Sequence, residues 1–179
     1  YPLIIKPRFG NTSKDVFIVE DAEELAESVE KIDKPIIQEY IGSEESEFTC
    51  STTYVDKNIV SCISLRRTLK NGNTNLAFLE DYTPIDLYIK KLTEALKPFG
   101  PTNFQLRLSS DHPTVFEINP RFSGTTPIRA LFGVNEVEAT INAILFNKFD
   151  NKFNLEPGVV IRYLENQFVD WDTFKSFSK

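Results

Sequence analysis

The sequence FEINPR at residues 116–121 places a carboxylate and a carboxamide two positions apart in an apolar segment, then continues into proline and arginine. Because successive side chains of a strand alternate between its two faces, Glu117 and Asn119 share a face. Arg121 follows where Pro120 ends the strand, and a guanidinium group is suited to binding a phosphoryl group. This segment therefore predicts a site for phosphate chemistry.

The preceding segment, NFQLRLS, alternates in the same way and is separated from this strand by the turn SDHP. A hairpin centred near Asp111 places Gln105 across from Glu117. It also places Asn103 across from Asn119, and opposed side chains have Cβ atoms only about 4.5–5.5 Å apart. Gln105, Glu117 and Asn119 then form one oxygen-rich patch, which suits Mg²⁺ bound partly by substrate phosphates. The alternative is that the patch is only the solvent face of an amphipathic hairpin.

Two further segments are suited to contact a nucleotide. Lys6 follows the apolar triplet LII and precedes the hairpin tip FGNTSKD, from which a lysine could reach phosphates, although a solvated strand end is the alternative. The segment QEYIGSEESE combines an extended apolar strand with acceptors at Glu39 and Glu47. Backbone groups of an exposed edge there could bind an adenine ring, and a carboxylate could hold ribose hydroxyls. A polar loop between domains is an equally natural interpretation of that segment.

Composition narrows the class of protein. The chain has 179 residues, 41% of them hydrophobic and 26% charged, as is usual for a soluble globular protein. Its apolar runs are far shorter than the roughly 20 residues that cross a bilayer, so we expect no membrane partner and a cytoplasmic setting. The net charge of −6 and the scattered basic residues argue against nucleic acid. Cys50 and Cys62 lack metal-ligand spacing and are expected to be free thiols.

The hydrophobic periodicity predicts an α+β chain whose strands pair mainly antiparallel. Strands are expected at residues 1–7, 16–19, 35–41, 48–55, 58–66, 102–109, 114–119 and 158–165, with residues 70–82 a loop containing one short strand. Helices are expected to begin at four capping sites: Asp21 with Glu24, Thr83 with Pro84, Thr126 with Pro127, and Asn135 with Glu138. His112 is interpreted as a solvated turn residue.

Taken in order, IIKP with its hairpin, IIQEYIGSEESEFTC and NFQLRLSSDHPTVFEINPRFSGTTP resemble the ATP-grasp fold, most closely that of carbamoyl phosphate synthetase and related carboxylate-amine ligases. The likeness extends to about Lys148. It implies two subdomains, a small one at residues 1–40 with a phosphate flap and a large one at residues 41–179 with the nucleotide and metal site. It also implies an enzyme that uses ATP and Mg²⁺, or Mn²⁺, to join a small-molecule carboxylate to an amine or other nucleophile.

The resemblance assigns a role to each candidate residue. Lys6 would contact the α- and β-phosphates, and residues 8–15 would form the mobile flap. Arg121 would stabilise the transferring γ-phosphoryl group or the acyl phosphate, acting with Lys6 as a catalytic group. The nucleotide-binding residues would be Lys6, Gly10, Ser13, Glu39, Tyr40, Ile41 and Glu47, with Glu47 at the ribose, and the metal ligands would be Gln105, Glu117 and Asn119.

Two departures from the family pattern affect this interpretation. Thr12 and Asp15 stand in the flap where small residues are common, which predicts weaker nucleotide binding. The chain has no methionine and Tyr1 opens directly onto a strand, so we expect a piece of a longer polypeptide that lacks an N-terminal domain and is inactive alone. The alternatives are a catalytically inactive nucleotide-binding module for regulation or assembly, and a protein-interaction domain. The sequence does not set the oligomeric state.

Overall fold

A computed structural model describes residues 1–10, 14–110, 112–163 and 168–177. The first unit is a three-stranded antiparallel sheet with strand order β2-β1-β3, formed by β1 (Leu3–Pro7), β2 (Phe17–Val19) and β3 (Pro35–Glu39). Helix α1 (Ala22–Lys31) follows β2, and Ile5, Val19 and Ile32 form the buried core of the unit. Asp21 caps α1 as predicted, because its carboxylate accepts hydrogen bonds from the backbone N–H groups of Glu23 and Glu24.

The second unit is a six-stranded sheet with strand order β8-β7-β4-β5-β6-β9. Its strands are β4 (Glu47–Val55), β5 (Asn58–Lys70), β6 (Asn73–Leu79), β7 (Gly100–Ser109), β8 (His112–Asn119) and β9 (Gly158–Ile161), and every neighbouring pair is antiparallel. A short 3₁₀ turn (Glu44–Ser46) leads from the first unit into β4. The predicted α+β class with mainly antiparallel sheets is confirmed.

Alternation along the strands gives the large sheet two buried faces. Helix α2 (Thr83–Leu96) covers one face, where Ile85 and Ile89 pack against a cluster that includes Phe104. Helices α3 (Thr126–Leu131) and α4 (Glu136–Phe146) cover the other face. The side chains predicted as metal ligands, Gln105, Glu117 and Asn119, lie on the α3–α4 face, at the edge of the sheet formed by β4, β7 and β8.

Several boundaries differ from the predicted ones. The segment expected as a loop with one short strand contains β6, joined to a longer β5 by Asn71 and Gly72, both with positive φ. These two residues form a two-residue hairpin turn. Such turns favour Asn-Gly because both residues must adopt positive φ. Helix α2 begins at Thr83, whose backbone N–H donates to the Asp81 carboxylate, so Thr83 is not the cap. His112 is the first residue of β8, paired with Ser109, and not a turn residue.

The C-terminal region is less regular. β9 ends at Ile161, before the predicted residue 165, and residues 164–167 lie outside the described residues. Helix α5 (Trp171–Phe177) follows, and its Trp171 and Phe174 rings meet edge-on at 5.8 Å. None of the helices in the described ranges is long and apolar enough to cross a membrane.

Both cysteines are free thiols, as predicted. Cys50 is fully buried under α2 and Cys62 is partly buried near the Asp86 carboxyl group. Burial raises the pKa of Cys50 to about 12 and also raises the pKa of Cys62. These thiols are therefore protonated core groups at neutral pH.

Candidate functional site

The β7–β8 hairpin has the predicted register at the end of the strands away from its turn, whereas the pairing nearer the turn is shifted by one residue. Gln105 lies directly across from Glu117, and Asn103 directly across from Asn119. The side-chain amide of Asn119 donates to Oε1 of Glu117 at 2.6 Å, which holds the two side chains together. The hairpin therefore brings together the oxygen atoms of Gln105, Glu117 and Asn119, all of which are half-buried.

This donor set fits a hard divalent cation that shares its coordination with phosphates. No group of three or more His, Cys, Asp and Glu side chains capable of holding a metal occurs in the described part of the chain. The patch instead offers one carboxylate, Glu117, beside two carboxamides, and all its donors are oxygen. Mg²⁺ typically binds through one or two carboxylates with substrate phosphates and water completing its shell. A cation held here would need those additional ligands.

A β-bulge next to the patch connects the hairpin with the small sheet. The register shifts between Gln105 and Leu106, and this leaves Phe116 as the extra residue of β8. The Phe116 carbonyl oxygen accepts from Nζ of Lys6 and Nε2 of Gln38, each at 3.4 Å. Lys6 Nζ also lies 5.7 Å from the centre of the Phe116 ring. The lysine predicted to contact phosphates thus comes from the small sheet and meets the hairpin at the residue before Glu117.

Arg121 lies just beyond the patch, in an exposed tight turn. Its backbone N–H donates to the Asn119 carbonyl at 2.8 Å, so the turn follows directly on the last residue of β8. Its guanidinium Nη1 donates to the Phe122 carbonyl at 3.0 Å. The exposed guanidinium is consistent with a group that meets a ligand from outside the sheet.

Glu47 lies deeper than its predicted ribose role suggested. It is 4% exposed, and both oxygens bind guanidinium groups. Oε1 accepts from Nε and Nη2 of Arg67 at 3.1 and 2.7 Å, and Oε2 accepts from Nε and Nη2 of Arg107 at 3.0 and 2.8 Å. These four bonds use the acceptor capacity of a carboxylate, so a ribose hydroxyl would have to displace one of them.

The two guanidinium groups, with Glu47, form a second polar cluster beside the patch of Gln105, Glu117 and Asn119. Glu47 pairs across the strands with Arg107, two residue pairs from Thr49 and Gln105 and on the same face of the sheet. Burial lowers the pKa of Arg107, but the hydrogen bonds and charge of Glu47 outweigh burial and raise it above its ordinary value. The Arg107 guanidinium also lies 4.9 Å from the centre of the Tyr40 ring. The alternation that identified Gln105 also places Arg107 on its face, so the sequence contained a signal for this residue.

The predicted adenine-binding segment runs along an open sheet edge. Within the described residues β3 pairs with β1 alone, so backbone groups on its other side face away from the sheet. Glu39, at the end of β3, is exposed, whereas Tyr40 and Ile41 are half-buried. Gly42 follows with φ of 63°, and a Cβ there would lie 2.4 Å from the Leu108 carbonyl oxygen. This glycine lets the segment pass closely over β7.

The flap is described only in part. Gly10 lines a cavity of about 280 Å³ with Pro7, Lys14 and Lys31, on the α1 side of the small sheet. Ser13 and Thr12 lie outside the described residues. Asp15 has φ of 58°, a left-handed conformation that aspartate tolerates better than most residues. Asp15 therefore adopts a backbone conformation that glycine usually provides.

A buried network behind the patch had no signal in the sequence. Arg129 and Glu136 are both fully buried and form an ion pair at 3.2 Å on the α3–α4 face. One lies at the end of α3 and the other at the start of α4. Because the pair spans two short helices with a turn between them, no helical or strand period marks it.

Known proteins resemble this chain in sequence and in fold. The family model described as ATP-grasp in the biosynthetic pathway with Ter operon matches residues 31–167. A D-alanine–D-alanine ligase from Fusobacterium nucleatum is 47% identical over 45 residues, 25% of this chain and 16% of that protein. The N5-carboxyaminoimidazole synthetase from Staphylococcus aureus, complexed with ADP, has a TM-score of 0.74 at 17% identity, covering 92% of this chain and 47% of that one.

A biotin carboxylase domain gives a similar result. That of the Hydrogenobacter thermophilus 2-oxoglutarate carboxylase, complexed with MgADP, ADP and bicarbonate, has a TM-score of 0.67 at 13% identity and covers 79% of this chain and 36% of that one. The chain therefore spans less than half the length of each of these proteins. Likeness at such low identity establishes the fold, whereas the reaction must be argued from the site.

Proposed function

Because this chain belongs to the ATP-grasp family associated with the biosynthetic pathway with Ter operon, we propose that it is part of an ATP- and Mg²⁺-dependent ligase. The enzyme would activate a small-molecule carboxylate as an acyl phosphate for attack by an amine or other nucleophile. The observation that carries this proposal is the cross-strand patch of Gln105, Glu117 and Asn119, met at the Phe116 bulge by Lys6. A carboxylate, two amides and a cation together suit a metal-bound triphosphate.

The nucleotide would lie between the two sheets. Residues 1–40 would form the small subdomain, which supplies Lys6 and the flap with Gly10 and Ser13, and residues 41–179 would form the large one. The open edge at Glu39, Tyr40 and Ile41 would bind the adenine through backbone groups. Glu47 would serve the ribose by exchanging one of its arginine bonds for a hydroxyl, or indirectly through Arg107.

The metal would be held by Gln105, Glu117 and Asn119. Mg²⁺, or Mn²⁺ in its place, would supply the positive charge that neutralises the phosphate oxygens. Lys6 would orient the α- and β-phosphates, and the exposed guanidinium of Arg121 would contact the transferring group. Each of these residues acts by position and charge, which is the main requirement for phosphoryl transfer.

The proposed reaction has two steps. A carboxylate oxygen of the substrate attacks the γ-phosphorus of ATP, the bond to the β–γ bridging oxygen breaks, and ADP leaves. The amine then attacks the carbonyl carbon of the acyl phosphate, a carbon–nitrogen bond forms, inorganic phosphate leaves and the amine proton passes to solvent. Lys6 and Arg121 would stabilise the negative charge on the phosphoryl oxygens during the first step.

Calorimetric titration of the complete protein that contains this chain tests the proposal. We expect a non-hydrolysable ATP analogue to bind more tightly with Mg²⁺ than without it. Glu117→Ala should abolish that difference, together with ATP turnover, because it removes the one carboxylate of the patch. Glu94→Ala, at an exposed position of α2 on the opposite face, is the control and should behave like the parent. Metal-independent binding by the parent, or turnover retained by Glu117→Ala, would contradict the assignment.

A second function is supported by two observations, the carboxylate of Glu47 already bonded to two arginines and the presence of Asp15 in the flap. A module that binds nucleotide weakly and regulates or assembles other proteins would tolerate both features. ATP binding without phosphate release, over a broad panel of carboxylates and amines, would favour this function. Turnover with any pair of substrates would exclude it.

A further inference from the structure

A buried arginine connects the candidate metal patch with the loop that carries Arg121. We propose that Arg129 is a positioning residue for the metal patch and for this loop, an inference that rests on the proposed function. Arg129 is 0% exposed, so it touches neither nucleotide nor substrate directly. Its effect would pass through the side chains that it binds.

The first contacts of Arg129 are with the two strands under the patch. Its Nη2 donates to Oδ1 of Asn103 at 2.7 Å and to Oγ1 of Thr49 at 3.1 Å. The Thr49 hydroxyl in turn donates to Oδ1 of Asn103 at 3.0 Å. All three residues are buried, so one guanidinium group links β4 and β7 on the α3–α4 face.

These two acceptors are the cross-strand neighbours of two proposed metal ligands. Asn103 lies opposite Asn119, and Thr49 lies opposite Gln105. Opposed side chains of an antiparallel pair have Cβ atoms about 4.5–5.5 Å apart, so each neighbour limits the rotamers of the other. The guanidinium thus sets the positions of the side chains against which Asn119 and Gln105 pack.

The second contact reaches the loop after β8. Nη1 of Arg129 donates to Oγ of Ser123 at 3.0 Å, two residues beyond Arg121. Ser123 Oγ lies 2.6 Å from Thr125 Oγ1 and also accepts from the Thr125 backbone N–H. The loop is therefore fastened to the same buried group that supports the patch.

Glu136 balances the charge of the buried Arg129 guanidinium group. Its oxygens lie 3.2 and 3.3 Å from Nη1 of Arg129, and Oε2 also accepts from the Thr126 hydroxyl at 2.6 Å. Burial lowers the pKa of Arg129 and the charge of Glu136 opposes that effect. Apolar side chains of similar volume often stabilise a core as well as a buried ion pair does. A planar guanidinium, however, holds several acceptors in fixed directions, which a lysine cannot do.

The test compares the Mg²⁺ dependence of nucleotide binding in the complete protein. For the parent, the affinity for ADP is measured by calorimetry with and without Mg²⁺, and the ratio is the readout. Arg129→Lys keeps a charge for Glu136 but cannot reach all four partners. We expect the ratio to fall by about 10-fold, as is typical when partners that orient metal ligands are removed.

A pair of threonine variants separates positioning from stability. Thr49→Val removes an acceptor of Arg129, whereas Thr52→Val removes a buried hydroxyl from the opposite face of the same strand, where it meets Thr93 at 2.9 Å. Both should lower the melting temperature, but only Thr49→Val should lower the ratio. This pair of variants tests the positioning role even if Arg129→Lys fails to fold.

The outcomes distinguish this inference from the proposed function. A parent protein without Mg²⁺-dependent binding would overturn the proposed function itself. A parent that binds as expected, with an unchanged ratio in folded Arg129→Lys or equal ratios in the two threonine variants, would overturn only the positioning role.

Discussion

Glu47 shows how the burial of one side chain changes what it can do. The sequence places an acidic residue at the start of β4, next to a segment expected to bind a nucleotide. In the structure the side chains of Arg67 and Arg107 approach it from the two flanking strands and bury it. Its ribose role stays a prediction, whereas its role as a bridge between three strands follows from the contacts.

We expect Glu47→Ala to lower the free energy of unfolding by about 3–5 kcal/mol, because it leaves two poorly solvated guanidinium groups facing each other. The side chains of Arg67 and Arg107 are only 10% and 14% exposed, so water compensates little. Urea denaturation of the parent and the variant measures the change. Glu45→Ala, two residues away and exposed, is the control and should leave stability unchanged within error. A loss below about 1 kcal/mol in Glu47→Ala would mean that the arginines find other partners.

At the scale of elements, close backbone approaches decide where helices end. Gly133 follows α3 with φ of 98°, and a Cβ at this position would lie 2.0 Å from the Asn154 carbonyl oxygen. The Phe132 carbonyl accepts from the Glu156 backbone N–H at 3.2 Å, so the segment after α4 packs against the end of α3. The contact between Gly133 and residue 154 appears only in the fold, because the two residues are 21 positions apart in the sequence.

We expect Gly133→Ala to destabilise the protein by about 2–4 kcal/mol, from left-handed strain and from the displacement of backbone. Gly158→Ala is the matched control, because nothing lies within 4 Å of its added Cβ and its φ is not positive. The control should leave stability unchanged or raise it slightly. Thermal unfolding of the two variants measures the difference, and equal melting temperatures would contradict the close approach.

At the scale of the whole molecule, two sheets with separate cores meet at the candidate site. Among the described residues, the core of the small sheet and α1 consists of Ile5, Val19 and Ile32, whereas the large sheet has a core on each face. Polar contacts from Lys6 and Gln38 to the Phe116 carbonyl join the two, each at 3.4 Å. A nucleotide bound between the sheets would therefore add contacts beside these two long hydrogen bonds.

Global stability should fall at alkaline pH, since unfolding exposes Cys50. Burial raises the pKa of this thiol from 9.0 to about 12 in the folded state. Below pH 9 both states keep the proton, whereas between pH 9 and 12 only the unfolded state loses it, so stability declines as pH rises. At pH 10 the thiol should contribute a loss of about 1.4 kcal/mol.

Urea denaturation at pH 8 and pH 10 measures this loss in the parent and in Cys50→Ala. The alanine variant starts from a lower stability but should lose less of it between the two pH values. Equal losses in both proteins would show that Cys50 does not contribute to the alkaline decline.

The sequence by itself determined the fold class, the pairing of Gln105 with Glu117 and of Asn103 with Asn119, and the patch of Gln105, Glu117 and Asn119. It could do so because alternation, turns and helix caps are local, and because two strands joined by a short turn have little choice of register. It did not predict the bulge at Phe116, which shifts the pairing nearer the turn by one residue. The family resemblance supplied the nucleotide roles, which stay predictions at Glu39, Tyr40, Ile41 and Glu47.

Only the tertiary structure decided which polar groups are buried and what they bind. The Glu47 bridge joins residues on three strands, and Arg129 joins two strands, a loop and a helix. Strand alternation places Arg107 on the face of Gln105, but no periodic pattern pairs these side chains with one another, because they lie on different elements and meet only when the sheet and its covering helices pack together. The meeting of Lys6 with the Phe116 bulge likewise depends on how one sheet is placed against the other.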